Sequence, residues 1–406
     1  MNKKMIMMSC LDIWSMGEGQ GAPSFYNTIK AYVDEGWDIT LIQPTSKNRL
    51  NSIIDGCKMI KFDNTFLEKL CSIKKVSFFA RIISAYYCTR KFYEIASKII
   101  IKNNEKYIIY AYEVDSVLAG KKLSRHFDLP LITRFQGTTL KNCKDTWLNR
   151  LKRFPHFKAL ESESTIVIMT DDGTEGDKVL KRLGNKTKDI YFWKNGQAEC
   201  YPNYINSEMR CDLRSKLNIP NTAPVLLTVS RLASWKRIDR AINCMPEVLI
   251  HFPNCKLVIV GDGEEYDNLK KIVEQHGIED SVVFTGAVNQ KDIWKYYDIA
   301  DVFLSLYDLS NVGNPLMEAM RLGKAIITLD VGETCAVIQN EVNGILLHHE
   351  QFESIAPAII RLLSDEKLKI SLGHNAQEYA KRNFWSWNDR MNAELDVVNA
   401  LREKWD

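Results

Sequence analysis

Short apolar runs alternate with helical patterns along the whole chain. The runs in the first half are MIMMSC, ITLIQ, YIIYAY, PLITRF, TIVIM and IYFW, and those in the second half are VLLTVS, KLVIVG, VVFTG, DVFLSL and AIIT. Strands that are covered on both faces read as continuous apolar segments, and crossover helices between them make the strands parallel. The pattern therefore predicts an α/β protein built from doubly wound parallel sheets.

A segment rich in proline, asparagine and serine separates the two sets of runs. It covers residues 194–224, KNGQAECYPNYINSEMRCDLRSKLNIPNTAP, and is typical of a connection between domains. We therefore predict two Rossmann-like domains, residues 1–200 and 201–384, that face each other across a cleft. Ligands of such sheets bind beyond the carboxyl ends of the strands, so functional residues should directly follow the apolar runs.

The composition fits a globular protein of this size. The 406 residues are 45% hydrophobic and 26% charged, which is enough to bury two cores. The ten cysteines include no CxxC pair, which predicts buried thiols in a reducing compartment. The apolar run in the N-terminal MNKKMIMMSCLDIW is too short for a signal peptide and predicts a buried strand. No segment approaches the roughly 20 apolar residues of a membrane span, so we expect a cytoplasmic protein.

The charge is unevenly distributed. Residues 1–200 contain 32 Lys and Arg against 22 Asp and Glu, a net charge of +10, whereas residues 201–406 contain 22 against 29, a net charge of −7. The basic excess is concentrated in residues 69–106, with nine basic and two acidic residues. Six aromatic residues are interleaved with them: Phe78, Phe79, Tyr86, Tyr87, Phe92 and Tyr93.

Three interpretations of residues 69–106 follow from this pattern. The stretch could rest on an anionic bilayer, or it could form two amphipathic helices with a solvated basic face. Nucleic-acid binding is the least favoured interpretation, because nothing outside this stretch indicates it. Contact with the inner face of a membrane and a purely solvated face both stay open.

Glycine-containing turns and two cations follow several of the runs. Gly19, Gln20 and Gly21 follow the first run, and Arg231 and Lys236 follow VLLTVS. Glycines permit close backbone approach, and two cations at a strand end can neutralise a diphosphate without a metal ion. A tight turn and a surface ion pair are the corresponding structural alternatives.

The stretch SNVGNPLME, residues 310–318, combines several features of a phosphate or sugar site. Gly313 lets a ligand approach the main chain, and Pro315 suits the first turn of a helix. The backbone N–H groups at the helix start can bind an anion, and Glu318 can accept hydrogen bonds from two ribose hydroxyls. A capped loop with no ligand is the alternative.

In their order, these motifs resemble the retaining glycosyltransferases of family 4, which have the GT-B fold. The residues that carry the resemblance are SRLASWK (230–236), GDG (261–263), FTGAV (284–288), SNVGNPLMEAMRLGKAII (310–327), NGILL (343–347) and the closing NFWSWNDRMNAEL. The first half matches more loosely, through GQGAPSF, DLPLITRFQGT and WKNG. The resemblance implies an acceptor domain at 1–200, a donor domain at 201–384 and a final helix, 385–406, that crosses back onto the acceptor domain.

The resemblance also implies roles for individual residues. Arg231 and Lys236 correspond to the pair that holds the donor diphosphate, Glu318 to the ribose-binding glutamate and Val288 to a backbone contact with the base. The other donor-binding residues it implies are Gly19, Gln20 and Gly21 of the loop over the donor, Gly261, Gly263, Asn311, Val312, Gly313, Asn314, Pro315 and Leu316. The resemblance further implies a UDP- or GDP-linked sugar as the donor, and it implies neither a metal ion nor a further cofactor.

The chain departs from the family pattern at two positions. Ser310 replaces the first acid of the EX7E motif, so the donor sugar hydroxyls are contacted either by Asp308 or by Ser310 and backbone groups. Gln136 replaces the histidine of the HG motif, and an amide cannot act as a base. The nearest carboxylates for the acceptor are Glu113 and Asp115, for which a helix N-cap such as Asp115 is the alternative.

The function these features favour is transfer of a hexosyl group from a nucleotide sugar to a glycan. Its acceptor could be carried on a polyprenyl lipid, in the synthesis of a cell-surface polysaccharide such as lipopolysaccharide or capsule. An alternative function is that of a nucleotide-sugar-binding scaffold protein that has lost catalysis. The departures at Ser310 and Gln136 suggest it. A nucleotide-dependent oxidoreductase is disfavoured, because no GxGxxG with a downstream acid is present.

Overall fold

The chain folds into two compact units. A computed structural model describes residues 3–11, 23–45, 54–73, 77–198, 207–309 and 311–405. Unit 1 comprises Met1–Lys194 and Asn388–Asp406, and unit 2 comprises Asn195–Trp387. Each unit is built around one parallel sheet.

The sheet of unit 1 has seven strands in the order β3-β2-β1-β4-β5-β6-β7. The strands are β1 (Lys4–Ser9), β2 (Asp38–Thr45), β3 (Cys57–Asp63), β4 (Ile108–Tyr112), β5 (Leu131–Phe135), β6 (Ile166–Thr170) and β7 (Asp189–Trp193). The helices are α1 (Pro23–Asp34), α2 (Thr65–Ser72), α3 (Ser77–Asn103), α4 (Val114–Phe127), α5 (Trp147–Lys152), α6 (His156–Leu160), α7 (Gly176–Arg182) and, at the end of the chain, α16 (Trp387–Trp405).

The sheet of unit 2 has six strands in the order β10-β9-β8-β11-β12-β13. The strands are β8 (Val225–Val229), β9 (Lys256–Val260), β10 (Val282–Gly286), β11 (Val302–Ser305), β12 (Ala325–Leu329) and β13 (Ile345–Leu347). The helices are α8 (Ser207–Lys216), α9 (Ile238–Asn243), α10 (Met245–His251), α11 (Tyr266–His276), α12 (Ile293–Ile299), α13 (Asn314–Arg321), α14 (Ile355–Ser364) and α15 (Glu366–Asn383).

Both sheets are covered by apolar side chains on each face. Along β1, Met5 and Met7 point into one core cluster, whereas Ile6 and Met8 point into another. The same alternation occurs in β8, where Leu226 lies on the face opposite its neighbours. Because successive side chains of a strand point to opposite faces, a sheet with two covered faces needs uninterrupted apolar strands. This is why the apolar runs mark the strands, and the predicted doubly wound α/β fold is confirmed.

The C-terminal helix α16 packs on the sheet of unit 1 and brings a carboxylate into its interior. Glu394 is fully buried and accepts hydrogen bonds from Arg134 of β5 at 2.5 Å and from Arg390 at 3.0 Å. The hydroxyl of Tyr110 donates to the same carboxylate at 2.6 Å. Burial opposes ionisation, but the two guanidinium groups hold the pKa of Glu394 below its usual range. The pairing ties the end of the chain to the central strands.

The basic stretch at 69–106 contains the second half of α2 and all of α3, so it is helical, as the interpretation of two amphipathic helices predicts. Its aromatic residues serve different purposes: Phe92 is buried in the core, whereas Phe79 and Tyr86 are exposed. In the described part of the chain, no helix is both long and apolar enough to cross a membrane.

All nine cysteines in the described ranges are thiols. Cys88, Cys244 and Cys255 are buried, but Cys211 and Cys335 are exposed. The expectation of buried thiols is therefore wrong for these two, which lie in α8 and in a short 3₁₀ helix, Thr334–Ala336.

Candidate functional site

In unit 2, one glycine-dependent turn packs against a neighbouring loop at the carboxyl edge of the sheet. A Cβ atom on Gly261, whose φ is +138°, would lie 1.8 Å from the carbonyl oxygen of Ser230. A Cβ atom on Gly263 would lie 2.4 Å from the carbonyl oxygen of Leu232. The N–H of Leu232 donates to the carbonyl of Asp262 at 3.0 Å. The backbone of the GDG turn after β9 thus packs directly against the backbone of the SRL loop after β8. Both glycines therefore have a structural role that does not depend on a ligand.

The two cations expected at the donor diphosphate follow β8. Arg231 is 62% exposed at its side chain and forms an ion pair with Glu264 at 3.2 Å. The Nζ atom of Lys236 lies 4.2 Å from the ring centroid of Tyr307, at the end of the neighbouring strand β11. Because β8 and β11 are adjacent and parallel, both cations belong to one edge of the sheet.

Tyr307 connects Lys236 with the rest of this edge. Its hydroxyl donates to the carbonyl of Val229 at 2.9 Å, so the ring is fixed beneath the Lys236 ammonium group. Burial raises the pKa of Tyr307 to about 12, and the negative charge of Glu318 adds to this increase.

Asp308 is held by two arginines that the sequence did not indicate. Its carboxylate accepts hydrogen bonds from Arg240 at 2.6 Å and from Arg237 at 3.3 Å. The N–H of Asp308 donates to the carbonyl of Trp235 at 3.0 Å. The carboxylate thus has a structural role in joining the loops after β8 and β11, and its contact with a donor sugar stays a prediction. Ser310 lies outside the described residues.

The loop before α13 is anchored by buried side chains. Asn311 donates from Nδ2 to the carbonyl of Tyr307 at 2.8 Å, and the side chains of Val312 and Leu316 are buried in the core. Gly313 is the N-cap residue of α13, and Pro315 lies in its first turn. Among residues 311–316, Gly313, Asn314 and Pro315 are half-buried and the others are buried, so a ligand could contact the chain at these three residues. Asn314 accepts a hydrogen bond from Asn195 at 3.3 Å.

Glu318 lies one turn into α13 and is almost fully buried. Its Oε1 atom accepts a hydrogen bond of 2.9 Å from the Gln290 amide, and its Oε2 atom accepts one of 3.0 Å from the Tyr297 hydroxyl. Burial raises the pKa of Glu318 to about 7, although both hydrogen bonds oppose the increase. Each carboxylate oxygen has a second lone pair, so the group can still accept from two ligand hydroxyls.

Gln290 and Tyr297 were missed by sequence reasoning. Gln290 lies two residues beyond Val288, which is partly buried against the core in the loop after β10. Tyr297 belongs to α12, where its ring is buried like any core aromatic residue. For Tyr297, the sequence signal was a tyrosine on the apolar face of a predicted helix. A buried tyrosine hydroxyl needs a hydrogen-bond partner, so this position indicated a polar group nearby.

In unit 1, Glu113 and Gln136 meet at the carboxyl ends of β4 and β5. Oε1 of Glu113 accepts a hydrogen bond of 2.5 Å from the backbone N–H of Gln136. Glu113 has φ 70° and ψ 162°, a combination that costs a non-glycine residue about 1–3 kcal/mol. Burial raises the pKa of Glu113 to about 7. Strain and a raised pKa at a strand end are features that cluster at functional sites.

The side chain of Gln136 is fixed from both sides. Its amide nitrogen donates to the hydroxyl of Tyr112, and its amide oxygen accepts from the hydroxyl of Thr170 at 3.4 Å. The residue in the histidine position of the HG motif is therefore a rigid hydrogen-bonding group. Asp171 and Lys194, which sequence reasoning also missed, form an ion pair at the ends of β6 and β7 on the same edge.

Asp115 lies in the first turn of α4, and burial raises its pKa to about 6. The alternative that Asp115 is the N-cap is wrong, because the helix begins at Val114 and Glu113 precedes it. The structure thus brings Glu113 and Gln136 together in unit 1. In unit 2 it brings Lys236 together with Tyr307, and Glu318 together with Gln290 and Tyr297. The loop containing Gly19, Gln20 and Gly21 lies outside the described residues.

The sequence of unit 2 matches a known family. Residues 209–380 match the family described as "Glycosyl transferases group 1". An uncharacterized glycosyltransferase of Methanocaldococcus jannaschii is 26% identical over 322 residues, which cover 76% of this chain and 80% of that protein.

The fold is shared with solved structures of low sequence identity. Sucrose-phosphate synthase from Thermosynechococcus elongatus superposes with a TM-score of 0.77, with 20% identity over 99% of this chain and 100% of that chain. Anabaena HepE, in complex with UDP and glucose, superposes with a TM-score of 0.72, with 17% identity over 98% of this chain and 100% of that chain. Together, the family match over unit 2, the curated relative and the shared fold support a glycosyltransferase with the GT-B fold.

Proposed function

We propose that the protein transfers a sugar from a nucleotide-sugar donor to a glycan or a lipid-linked glycan, with retention of the anomeric configuration. The observation that carries the proposal is the buried Glu318 carboxylate one turn into α13, on the sheet edge that also presents Arg231 and Lys236. A ribose and a diphosphate need this combination of acceptors and cations. The UDP and glucose in the HepE structure further support a nucleotide-sugar donor.

The proposed reaction needs no protein base. The acceptor oxygen bonds to the anomeric carbon on the face from which the diphosphate departs, and the bond from carbon to phosphate oxygen breaks. The acceptor proton moves to an oxygen of the departing diphosphate, so the products are the glycoside and a nucleoside diphosphate. Arg231, Lys236 and the backbone N–H groups at the start of α13 stabilise the growing negative charge. These groups act without a metal ion or a further cofactor.

On the acceptor side, the proposal uses unit 1. Gln136 is held rigidly by Tyr112 and Thr170 and can hydrogen-bond a sugar hydroxyl. Glu113 is positioned by the backbone of Gln136, and Asp115 lies two residues further on, in the first turn of α4. Carboxyl and amide groups are suited to neutral sugar hydroxyls, which supports a glycan acceptor. We infer a cytoplasmic enzyme of cell-surface polysaccharide synthesis that contacts the inner face of the membrane.

A thermal-shift panel of UDP-, GDP- and ADP-sugars tests the donor proposal. A ligand at 100 times its dissociation constant should stabilise the protein by about 2.7 kcal/mol, and one base should be clearly preferred. Proton NMR of the product formed from an α-linked donor then reads the anomeric configuration. A β-linked product would exclude retention, and the absence of any shift across the panel would overturn the donor site. A shift without turnover on any acceptor would favour the scaffold alternative.

A further inference from the structure

One face of α3 carries large apolar side chains that the fold does not use. Phe79, Ile83 and Tyr86 are spaced four and three residues apart, which places them on the same side of the helix. They are 68%, 55% and 57% exposed. The opposite side of the helix is buried through Cys88 and Phe92. The helix therefore has two apolar faces: a buried face that holds α3 in unit 1, and a second face that is exposed.

The short helix α5 repeats this feature more strongly. None of its residues is buried, although three of its six residues are large and apolar. Trp147 is 72% exposed, Leu148 47% and Leu151 43%. Single exposed apolar residues are common on protein surfaces, but a contiguous group marks an interaction site. Packing within unit 1 does not explain why this helix is apolar.

The two helices belong to one surface. Tyr86 of α3 stacks on Phe154, just after α5, with ring centroids 4.9 Å apart and an interplanar angle of 20°. Crossover helices run antiparallel to the strands, so the N-terminal half of α3 lies toward the carboxyl edge of the sheet. The segment that contains α5 leaves the same edge at Gln136. We name these exposed residues the α3–α5 surface: Phe79, Ile83, Tyr86, Trp147, Leu148 and Leu151.

The charge around this surface is positive on balance, although Arg90 pairs with Glu94 and Arg150 pairs with Glu161. Residues 77–91 contain three basic and no acidic residues, and residues 141–158 contain six basic residues and one acidic residue, Asp145. Asp145 is engaged by Arg150 at 2.5 Å. Lys144, Lys152 and Lys158 are exposed. A second copy of this surface would repel the first, whereas an anionic partner with an apolar interior would complement it.

We propose that the α3–α5 surface binds an anionic phospholipid bilayer. Trp147, Leu148 and Leu151 enter the boundary between headgroups and acyl chains, where amphipathic and aromatic side chains are favoured. The surrounding lysines and arginines contact the anionic headgroups. The inference rests on the proposed function in one respect: a membrane held here would present a lipid-linked acceptor beside the sheet edge that carries Glu113 and Gln136.

Sedimentation of the full-length protein with lipid vesicles tests this surface. Binding is measured to vesicles of phosphatidylcholine alone and to vesicles that also contain phosphatidylglycerol. We expect binding only to the second kind, and we expect it to weaken with salt, because exposed charges are screened within about 10 Å at 0.1 M. The double variant Trp147→Ala/Leu151→Ala should bind about tenfold more weakly or worse. The triple variant Lys144→Glu/Lys152→Glu/Lys158→Glu should lose the preference for the anionic lipid.

Matched controls lie in unit 2. Ile250 is 76% exposed, so Ile250→Ala removes an apolar side chain of similar exposure. The double variant Lys271→Glu/Lys367→Glu changes exposed charges outside the α3–α5 surface. Both controls should bind vesicles like the parent. The nucleotide sugar of the panel that stabilises the parent most should stabilise every variant by the same amount. A loss of vesicle binding can then be distinguished from a failure of the donor site.

Two results would overturn the proposal. The first is equal binding of parent and surface variants to anionic vesicles, or no binding by the parent at all. The second is a dimer in sedimentation equilibrium that Trp147→Ala/Leu151→Ala dissociates, because the surface would then join two copies of the chain.

Discussion

The hydroxyl of Tyr297 lies 3.0 Å from Oε2 of Glu318 and also 3.0 Å from the carbonyl oxygen of Pro315. One tyrosine of α12 thus contacts both the first turn of α13 and the carboxylate one turn further along. Since the Gln290 amide holds the other carboxylate oxygen, Glu318 is fixed before any ligand arrives. Such preorganisation lowers the cost of binding a ribose.

Replacement of Glu318 should weaken donor binding while the fold is retained. Glu318→Ala removes hydrogen bonds that are each worth about 1.5–3 kcal/mol, so the dissociation constant for the nucleotide should rise about ten- to a hundredfold. Tyr297→Phe keeps the carboxylate and removes only its positioning, so its effect should be smaller. Isothermal titration calorimetry with the nucleotide measures both. Parent-like affinity in Glu318→Ala would show that α13 begins with a capped loop and no donor site.

Donor binding should depend on pH through Glu318. Burial raises the pKa of this carboxyl to about 7, and only the ionised form accepts from both ribose hydroxyls without a proton in the way. Affinity should therefore be lost as the pH falls through the pKa, by about tenfold between pH 8 and pH 6. Glu318→Gln is the control, because its side chain cannot titrate. Any pH dependence that comes from protonation of the nucleotide should be the same in this variant and in the parent. The same pH dependence in parent and variant would contradict this assignment.

Arg231→Ala should reduce turnover more than donor binding. The departing diphosphate gains charge in the transition state, so loss of the guanidinium should cost about 3 kcal/mol, or roughly two orders of magnitude in kcat. Glu264→Gln is the matched control, because it removes the ion-pair partner of Arg231 and leaves the cation in place. Steady-state kinetics and calorimetry on the same samples separate kcat from affinity. Equal losses in both quantities would argue against a role in the transition state.

Turnover should survive removal of divalent metal ions. In the proposed reaction, Arg231 and Lys236 neutralise the diphosphate, so dialysis against EDTA should leave kcat unchanged. Activity that disappears with EDTA and returns with Mg²⁺ or Mn²⁺ would contradict the prediction.

The buried charges under α16 should make Glu394 important for stability. Glu394→Ala leaves Arg134 and Arg390 buried without a counter-charge, which should lower the free energy of unfolding by about 3–5 kcal/mol. Asp396 is exposed on the same helix, so Asp396→Ala should change it by less than about 0.5 kcal/mol. Urea denaturation monitored by circular dichroism compares the two. Equal midpoints would show that the buried pair does not stabilise unit 1.

The sequence alone predicted the central strands and the class of protein. Every apolar run became a strand, because a strand covered on both faces must be apolar at each position. The order of the motifs indicated a GT-B glycosyltransferase, which the family match over unit 2 and the shared fold support. The apolar runs leave out β3 and β13, which lie at sheet edges; β3 has only one buried residue in seven, and β13 has only three residues. Edge strands carry a weaker apolar signal because part of their surface faces solvent.

Tertiary structure decided which side chains act together. Arg134 and Glu394 are 260 residues apart in sequence, and Tyr297 meets Glu318 from a different helix. No local pattern specifies such a pair, because each partner alone reads as an ordinary residue of its own element. The exposure of α5 was equally invisible in the sequence, since WLNRLK also fits a helix that packs inward. Burial and hydrogen bonding depend on what the rest of the chain places alongside each segment, and that is set only when the sheets and helices have packed.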